Sequence, residues 1–412
     1  HPSGMTDLAR RLDEVRANGK GPDHKEPVRP VPELPAALAR DLEAARADGL
    51  DTPRRILLPQ TARSRFARVE EALASPVAGG VELGFGYSVK TNPHPSLIAL
   101  AEEAGMFAEV ISGAEMRRAL AAGFPPERII LNGPAQQWPA GPDPGGPLMA
   151  AFADSPQSFQ RWLAEGLPEA RYLGIRLRPV PIQSRFGTSV GNPKRFAETV
   201  ALLRSLPEDQ RLGLHFHFAS DVLGPARWLE VFEGVTHWAQ AIEEGVGRPL
   251  RCLDVGGGWF PDDFDRELLP RLDALRAAAS ERLPALERFF VEPGKAMAQP
   301  TMALVTTVLE VRRTPGGTCE AVVDAAISDL PMAPFYPHRV YARDERGGFE
   351  TVGSGGDRLL GRICMESDIL ASDLALPESL APGDRLVIGD AGAYDASMAY
   401  NFGRGELNDA CC

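Results

Sequence analysis

In the stretch Tyr87-Ser88-Val89-Lys90-Thr91-Asn92-Pro93, apolar Leu83, Phe85, Tyr87 and Val89 alternate up to a lysine. Alternation at period two is the pattern of a strand, so the amine falls at the strand's C-terminal end. Partial desolvation there is expected to lower its pKa and leave the amine available to condense with an aldehyde. Taken alone, a lysine that merely snorkels at a strand end is an equal reading. Leu214-His215-Phe216-His217-Phe218-Ala219-Ser220 ends another apolar run, with two histidines on one face. That pair could ligate a metal, but no third ligand lies at local spacing. The other reading lays one imidazole flat on a planar ring while Ser220 donates to a phosphate.

Leu253-Asp254-Val255-Gly256-Gly257-Gly258-Trp259 brings three glycines to the next strand end, where amides without a Cβ in the way can cradle a phosphate. No GxGxxG and no Lys-Ser/Thr pair accompanies them, which disfavours dinucleotide and triphosphate sites. Phe290-Val291-Glu292-Pro293-Gly294-Lys295 places a carboxylate behind an apolar run, where it wants a cationic partner such as a protonated pyridine nitrogen. Gly294 and Lys295 would add to the phosphate cup. Each stretch has a bland counterpart: a core histidine, a glycine kept for shape, a structural ion pair. On one rim, the amine, stacking ring, phosphate cup and pyridinium partner jointly point to a phosphorylated pyridine aldehyde.

Those strand ends need a scaffold. From about residue 55 to 300, short apolar strands alternate with amphipathic helices, with strands expected at 55–58, 84–89, 108–111, 128–131, 173–177, 212–218, 252–255 and 289–292. About eight such repeats predict an α/β fold, a parallel (β/α)8 barrel with active sites at the strand C-termini. After Gln299, strands expected at 302–312, 319–323, 349–352 and 385–388 are joined by Gly, Pro and Asp turns and predict a C-terminal β domain. The expected division is an N-terminal segment over 1–60 partly packing on the β domain, the barrel over 61–298, and the β domain over 299–412. A helix is expected over 34–50, and residues 1–35 otherwise read as partly ordered.

The net charge of −12 argues against nucleic acid and anionic membranes, both of which need clustered cations. No apolar run is long enough to span a bilayer. Cys252, Cys319, Cys364, Cys411 and Cys412 show neither metal spacing nor a disulfide framework, so a reducing cytoplasm is the expected setting. His1-Pro2-Ser3-Gly4 ahead of Met5 reads as an appended remnant, and no signal peptide is recognised.

Over about residues 52–404 the chain resembles the fold-type III pyridoxal-phosphate decarboxylases, the diaminopimelate and ornithine decarboxylase group, with an alanine-racemase-like barrel. The motifs that carry the resemblance are YSVKTNP at 87–93, VISGAE at 110–115, SRFG at 184–187, HFHFAS at 215–220, DVGGGW at 254–259 and VEPGK at 291–295. It continues through DAAISDL at 324–330, GRICMESD at 361–368 and GDAGAYDASM at 389–398. The resemblance implies that Lys90 binds pyridoxal 5′-phosphate as a Schiff base and that His217 stacks on its ring. Ser220, Gly257, Gly258, Gly294, Lys295 and Tyr394 would hold the phosphate, and Glu292 would face the ring nitrogen. Glu109 stands where that group usually has an aspartate near the lysine. Cys364 would cross a homodimer interface into the partner's site, and Cys364 or Lys90 would return a proton after CO₂ leaves. Tyr336, Met365, Glu366 and Asp368 would face the substrate.

Departures from the family pattern bear on the substrate. Met332 replaces the arginine that diaminopimelate enzymes direct at a distal carboxylate, with Tyr336 kept; Met365 and Pro337 replace the acidic residues that ornithine enzymes direct at a distal ammonium. Ala219 stands for a glycine and Lys295 for an arginine, which loses a bidentate grip. Arg362, in place of a proline, could meet a substrate carboxylate, although a solvated arginine is the plainer reading. The expectation is decarboxylation of an L-amino acid or an amino-acid conjugate in a specialised pathway such as siderophore or antibiotic assembly. The alternatives are a diaminopimelate decarboxylase, a racemase or epimerase of the same barrel class, and a non-catalytic regulator. A racemase would prefer an arginine where Glu292 stands, and a regulator should have lost the lysine, the cysteine or the phosphate residues.

Overall fold

The computed structural model describes residues 34–47, 50–75, 80–135, 143–180 and 182–403. The expectations for residues 1–33 and for Cys411 and Cys412 lie outside the described residues. After a helix at Ala36–Ala47 comes β1 (Arg54–Leu57), then the helix Pro59–Ala74.

Eight parallel strands follow and close on one another: β2 (Glu82–Ser88), β3 (Phe107–Val110), β4 (Ile129–Leu131), β5 (Leu148–Ala153), β6 (Ala170–Arg178), β8 (Arg211–Phe216), β9 (Leu250–Asp254) and β10 (Arg288–Val291). β10 pairs back on β2, with Phe290 opposite Gly84. A two-residue strand, β7 (Thr188–Ser189), flanks β6. The barrel is packed through its middle by Phe107, Ile130, Phe152, Tyr172, Cys252 and Phe290, so it is a core and not a pore. Helices cover the outside. Ser112, Ser155 and Asn192 cap three of them, accepting amide protons from Glu115, Ser158 and Arg195 at 3.1–3.2 Å.

β5 is absent from the elements expected from sequence. Its residues, Leu-Met-Ala-Ala-Phe-Ala, are all buried. A parallel strand covered on both faces shows no alternation, so periodicity cannot separate it from a buried helical turn.

The second sheet runs β14-β13-β17-β11-β12-β15-β16 through β11 (Met302–Arg313), β12 (Cys319–Val323), β13 (Val340–Arg343), β14 (Phe349–Thr351), β15 (Gly353–Leu360), β16 (Ile369–Ala375) and β17 (Arg385–Ile388). β1 pairs antiparallel with β11, Arg54 facing Val305 and Leu57 facing Met302. The helix Ala36–Ala47 joins it there, Leu38, Leu42 and Leu58 packing with Ala303, Val305, Tyr341 and Val387. β13, β15 and β16 were not expected; Gly353-Ser354-Gly355-Gly356 in β15 looks like a loop by composition. Tertiary pairing overrides that local preference.

Candidate active site

β2 delivers its chain to a single 3-10 turn, Val89–Thr91, and Lys90 sits on that turn. The β domain holds the turn from the other side. The Tyr394 amide donates to the Thr91 carbonyl at 2.8 Å, Asn92 Nδ2 to the Gly392 carbonyl at 2.9 Å, and Ser397 Oγ to the Lys90 carbonyl at 3.1 Å. Lys90 Nζ meets both oxygens of Glu109 at 2.9 and 2.7 Å, and Glu109, at the end of β3, is fully buried. The expected lowering of the lysine pKa is therefore reversed. Burial does work against the ammonium, but Glu109, with Tyr394 and Glu292, outweighs it and holds the pKa above the usual lysine value.

Glu292 follows β10 and is buried. Its Oε1 accepts from Asn132 Nδ2 at 2.9 Å, and its Oε2 lies 3.2 Å from His215 Nε2. Burial penalises its charge, yet His215, Asp254 and Lys90 together hold its pKa well below the usual range. Asp254 goes the other way: burial first, and Glu292 beside it, push its pKa far up. Of the two adjacent acids Glu292 carries the charge and Asp254 the proton. Asn132 and Asp254 had not been picked out from sequence. Each ends a barrel strand or directly follows one, which is the signal that could have found them.

The two histidines differ. His215 stacks on Phe152 with ring centres 5.3 Å apart and serves Glu292. His217 is half-exposed, and its Nδ1 accepts from the Gly257 amide at 3.3 Å. Burial and then Arg176 push its pKa down to about 3, so it is neutral at ordinary pH. His215, His217 and Glu292 do offer three ligand atoms within 4.8 Å of one another. The anionic Glu292 and the adjoining glycine cup suit an aromatic cation with a phosphate equally well.

That cup is tight. Gly258 has φ +88°, and a Cβ there would stand 2.5 Å from the Ala219 Cβ. A Cβ on Gly257 would meet the Glu292 carbonyl at 1.9 Å, and one on Gly294 would meet Thr91 Oγ1 at 2.3 Å. In the same place the buried Ser220 Oγ and Thr91 Oγ1 have no hydrogen-bond partner. Unmet buried hydroxyls beside bare backbone fit a ligand with anionic oxygens, because such groups are otherwise satisfied within a fold. The residues present thus suit pyridoxal phosphate.

Other expected site residues lie differently. Lys295 is not an uncommitted cation at the cup: its ammonium is paired with Asp221 and sits 4.5 Å from the Phe260 ring centre and 5.6 Å from that of Tyr336. The Tyr336 hydroxyl donates to the Ala393 carbonyl at 2.7 Å, and its ring stacks on His338, which is paired with Asp395 at 2.7 Å. Asp368 is buried and accepts from the Ile327 and Ile363 amides at 2.7 and 2.8 Å, so it braces its loop instead of facing a substrate. Cys364, Glu366 and Arg362 are exposed, and Met365 is half-buried against the β-domain core. In one chain, therefore, the structure brings together Lys90, Glu109, His217, Ser220, the glycines, Glu292 and Tyr394, but not Cys364.

Residues 61–139 match the family described as pyridoxal-dependent decarboxylase, pyridoxal binding domain. The diaminopimelate decarboxylase of Deinococcus radiodurans is 28% identical over 334 residues, covering 77% of this chain and 80% of that one. The ornithine decarboxylase of Schizosaccharomyces pombe is 26% identical over 337 residues, covering 77% and 74%. The crystal structure of diaminopimelate decarboxylase from Helicobacter pylori complexed with L-lysine has a TM-score of 0.69 at 21% identity, covering 87% of this chain and 91% of that one. Fold and site together define a barrel enzyme that works with pyridoxal phosphate. Over about three quarters of its length the chain is similar to the fold-type III pyridoxal-phosphate-dependent decarboxylases. No helix among the described residues is long and apolar enough to cross a membrane.

Proposed function

We propose that the chain removes the α-carboxylate of an L-amino acid whose far end is modified or conjugated, as in a specialised biosynthetic pathway. One observation carries this reading: the positions expected to meet the far end hold uncharged side chains, Met332 and Met365, both half-buried. A distal carboxylate or ammonium entering a partly dry site needs an opposite charge, and methionine offers none. The second reading is decarboxylation of plain diaminopimelate. The names of the relatives favour it over a conjugate, because most of the best-matching ones are diaminopimelate decarboxylases.

Pyridoxal phosphate, when bound, supplies an electron sink for the carbon that loses CO₂. This chain's residues do the rest. Lys90 would hold the aldehyde through its amine, which Glu109 positions with both carboxylate oxygens. Glu292, kept anionic, would hold the ring nitrogen protonated, and neutral His217 would present a flat face to the ring. Ser220, Gly257, Gly258, Gly294 and Tyr394 would hold the phosphate. Lys90 or Cys364 would be the group to return a proton to the substrate carbon.

Because Cys364 stands in solvent here, we assign it to the site of a second copy in a homodimer. Exposed Phe335, Met398, Tyr400 and Phe402 supply an apolar surface for such a contact. A reducing compartment suits the free thiols of Cys252 and Cys319. The test of the substrate is CO₂ release by holoenzyme from a panel of free and N-acylated diamino acids. Turnover of free diaminopimelate above every conjugate would establish the second reading in place of the first.

A further inference from the structure

Lys90 opens onto a cavity of about 1370 Å³ walled by the helix Ala36–Ala47, β1, the start of the helix Pro59–Ala74 and the turns that follow β2 and β3. Ordinary small-molecule sites occupy roughly 300–1000 Å³, so a free amino acid would leave most of this space empty. Arg54, Arg55, Arg63, Lys90 and Arg118 line it, against three carboxylates, Asp41, Glu115 and Asp329.

Those carboxylates are already engaged. Asp41 accepts from the Gln60 and Thr61 amides at 3.1 and 2.9 Å, and Asp329 accepts from the Ala326 amide at 2.9 Å. Glu115 accepts from the Ile111 amide at 2.8 Å, and burial pushes its pKa up to about 7. Among the cations, Arg55 donates to the Asp329 carbonyl at 2.5 Å, while Arg63 and Arg118 are exposed at the cavity wall; Arg118 makes one 3.4 Å bond to the Pro93 carbonyl. A cationic surplus beside the reactive amine is the opposite of the average for a chain of net charge −12.

We infer that this cavity receives an acid-ended remote part of the substrate, a carboxylate or phosphate carried several bonds beyond the amino acid itself and met by Arg63 and Arg118. The inference rests on the conjugate reading above and names the chemical class of the conjugate.

Two probes test it on the holoenzyme: Nδ-succinyl-L-ornithine and its amide-ended counterpart, with binding followed by the change in cofactor absorbance on rapid mixing. A third probe, ended in a phosphonate, separates the two anions by which binds more tightly. The acid-ended probes should bind at least tenfold more tightly than the amide. That ratio should fall to near one in the double variant R63Q/R118Q and return in R63K/R118K, with an unchanged cofactor spectrum reporting an intact fold. Equal affinities in the unsubstituted protein would overturn the inference, as would no binding of any probe or a preference that survives R63Q/R118Q. CO₂ release from amide-ended conjugates with no acid preference would sink this inference and leave the conjugate reading standing.

Discussion

Around Lys90, Glu109 and Glu292 both carboxylates are buried and engaged, whereas around Cys364 the side chains of Arg362 and Glu366 stand in solvent. The first region is finished within one chain. Its carboxylates sit at strand ends in a closed barrel, where hydrogen bonds and low solvent access fix their protonation. The second region lies on the β domain, where the hydroxyl of Tyr400, 38% exposed, reaches the Met365 sulfur at 3.8 Å. Apolar surface of that kind, next to a side chain with chemistry to do, is what an assembly covers. On the proposed reading the Lys90 side would hold the cofactor within one chain, and the loop around Cys364 would act only against another copy.

The sharpest way to break the contrast is at the amine. Lys90→Ala should abolish the absorbance of bound cofactor and lower the decarboxylation rate at least about a thousandfold, because the covalent step is lost. Retained absorbance would mean that the finished half was misassigned.

Next in size is the contribution of the second copy. Lys90→Ala and Cys364→Ala each inactivate alone, but unfolding and refolding the two together should restore roughly a quarter of normal activity, since half the dimers then carry one complete site. No recovery on mixing would place Cys364 outside a shared site.

Smaller is the effect of Gly258→Ala, which forces a side chain onto a backbone at φ +88° and against Ala219. A loss of about 1–3 kcal/mol in stability, with weaker cofactor retention, is expected by thermal melting. Comparable in size is the pH effect of Glu115, whose pKa rises from 4.5 to about 7 on folding. The unfolded chain releases this proton first, so stability falls as pH rises between those values and levels off above the upper one. Its slope is at most about 1.4 kcal/mol per pH unit, and Glu115→Gln should flatten it in denaturant titrations across that window.

Most of the cofactor side of the site is legible before folding, because each element ends on the residue that matters. Lys90, Glu109, His217 and Glu292 all follow apolar runs, and the bare glycines mark where backbone must come close. The electrostatics are less legible. The raised pKa of Lys90 comes from Glu109, 19 residues away, and the charge on Glu292 depends on His215, Asn132 and Asp254 from three other strand ends. Asp368 and Lys295 carry charges that suggest ligand contacts, yet one is consumed by backbone amides and the other by Asp221. Nothing local in the sequence announces those partners.

The sequence alone determined the repeating strand–helix order, the change of texture after Gln299, and which side chains could bond an aldehyde, stack on a ring or hold a phosphate. These are properties of neighbouring residues, set by periodicity and side-chain chemistry. Closure of the barrel decided which strand ends face one another, and with that which acid keeps its proton, which histidine is neutral and which cations remain to meet a ligand. Pairing of β1 with β11 decided that Arg54–Leu57 wall the cavity at Lys90. Interactions between residues far apart in sequence depend on distance and dielectric, and only the folded chain supplies those.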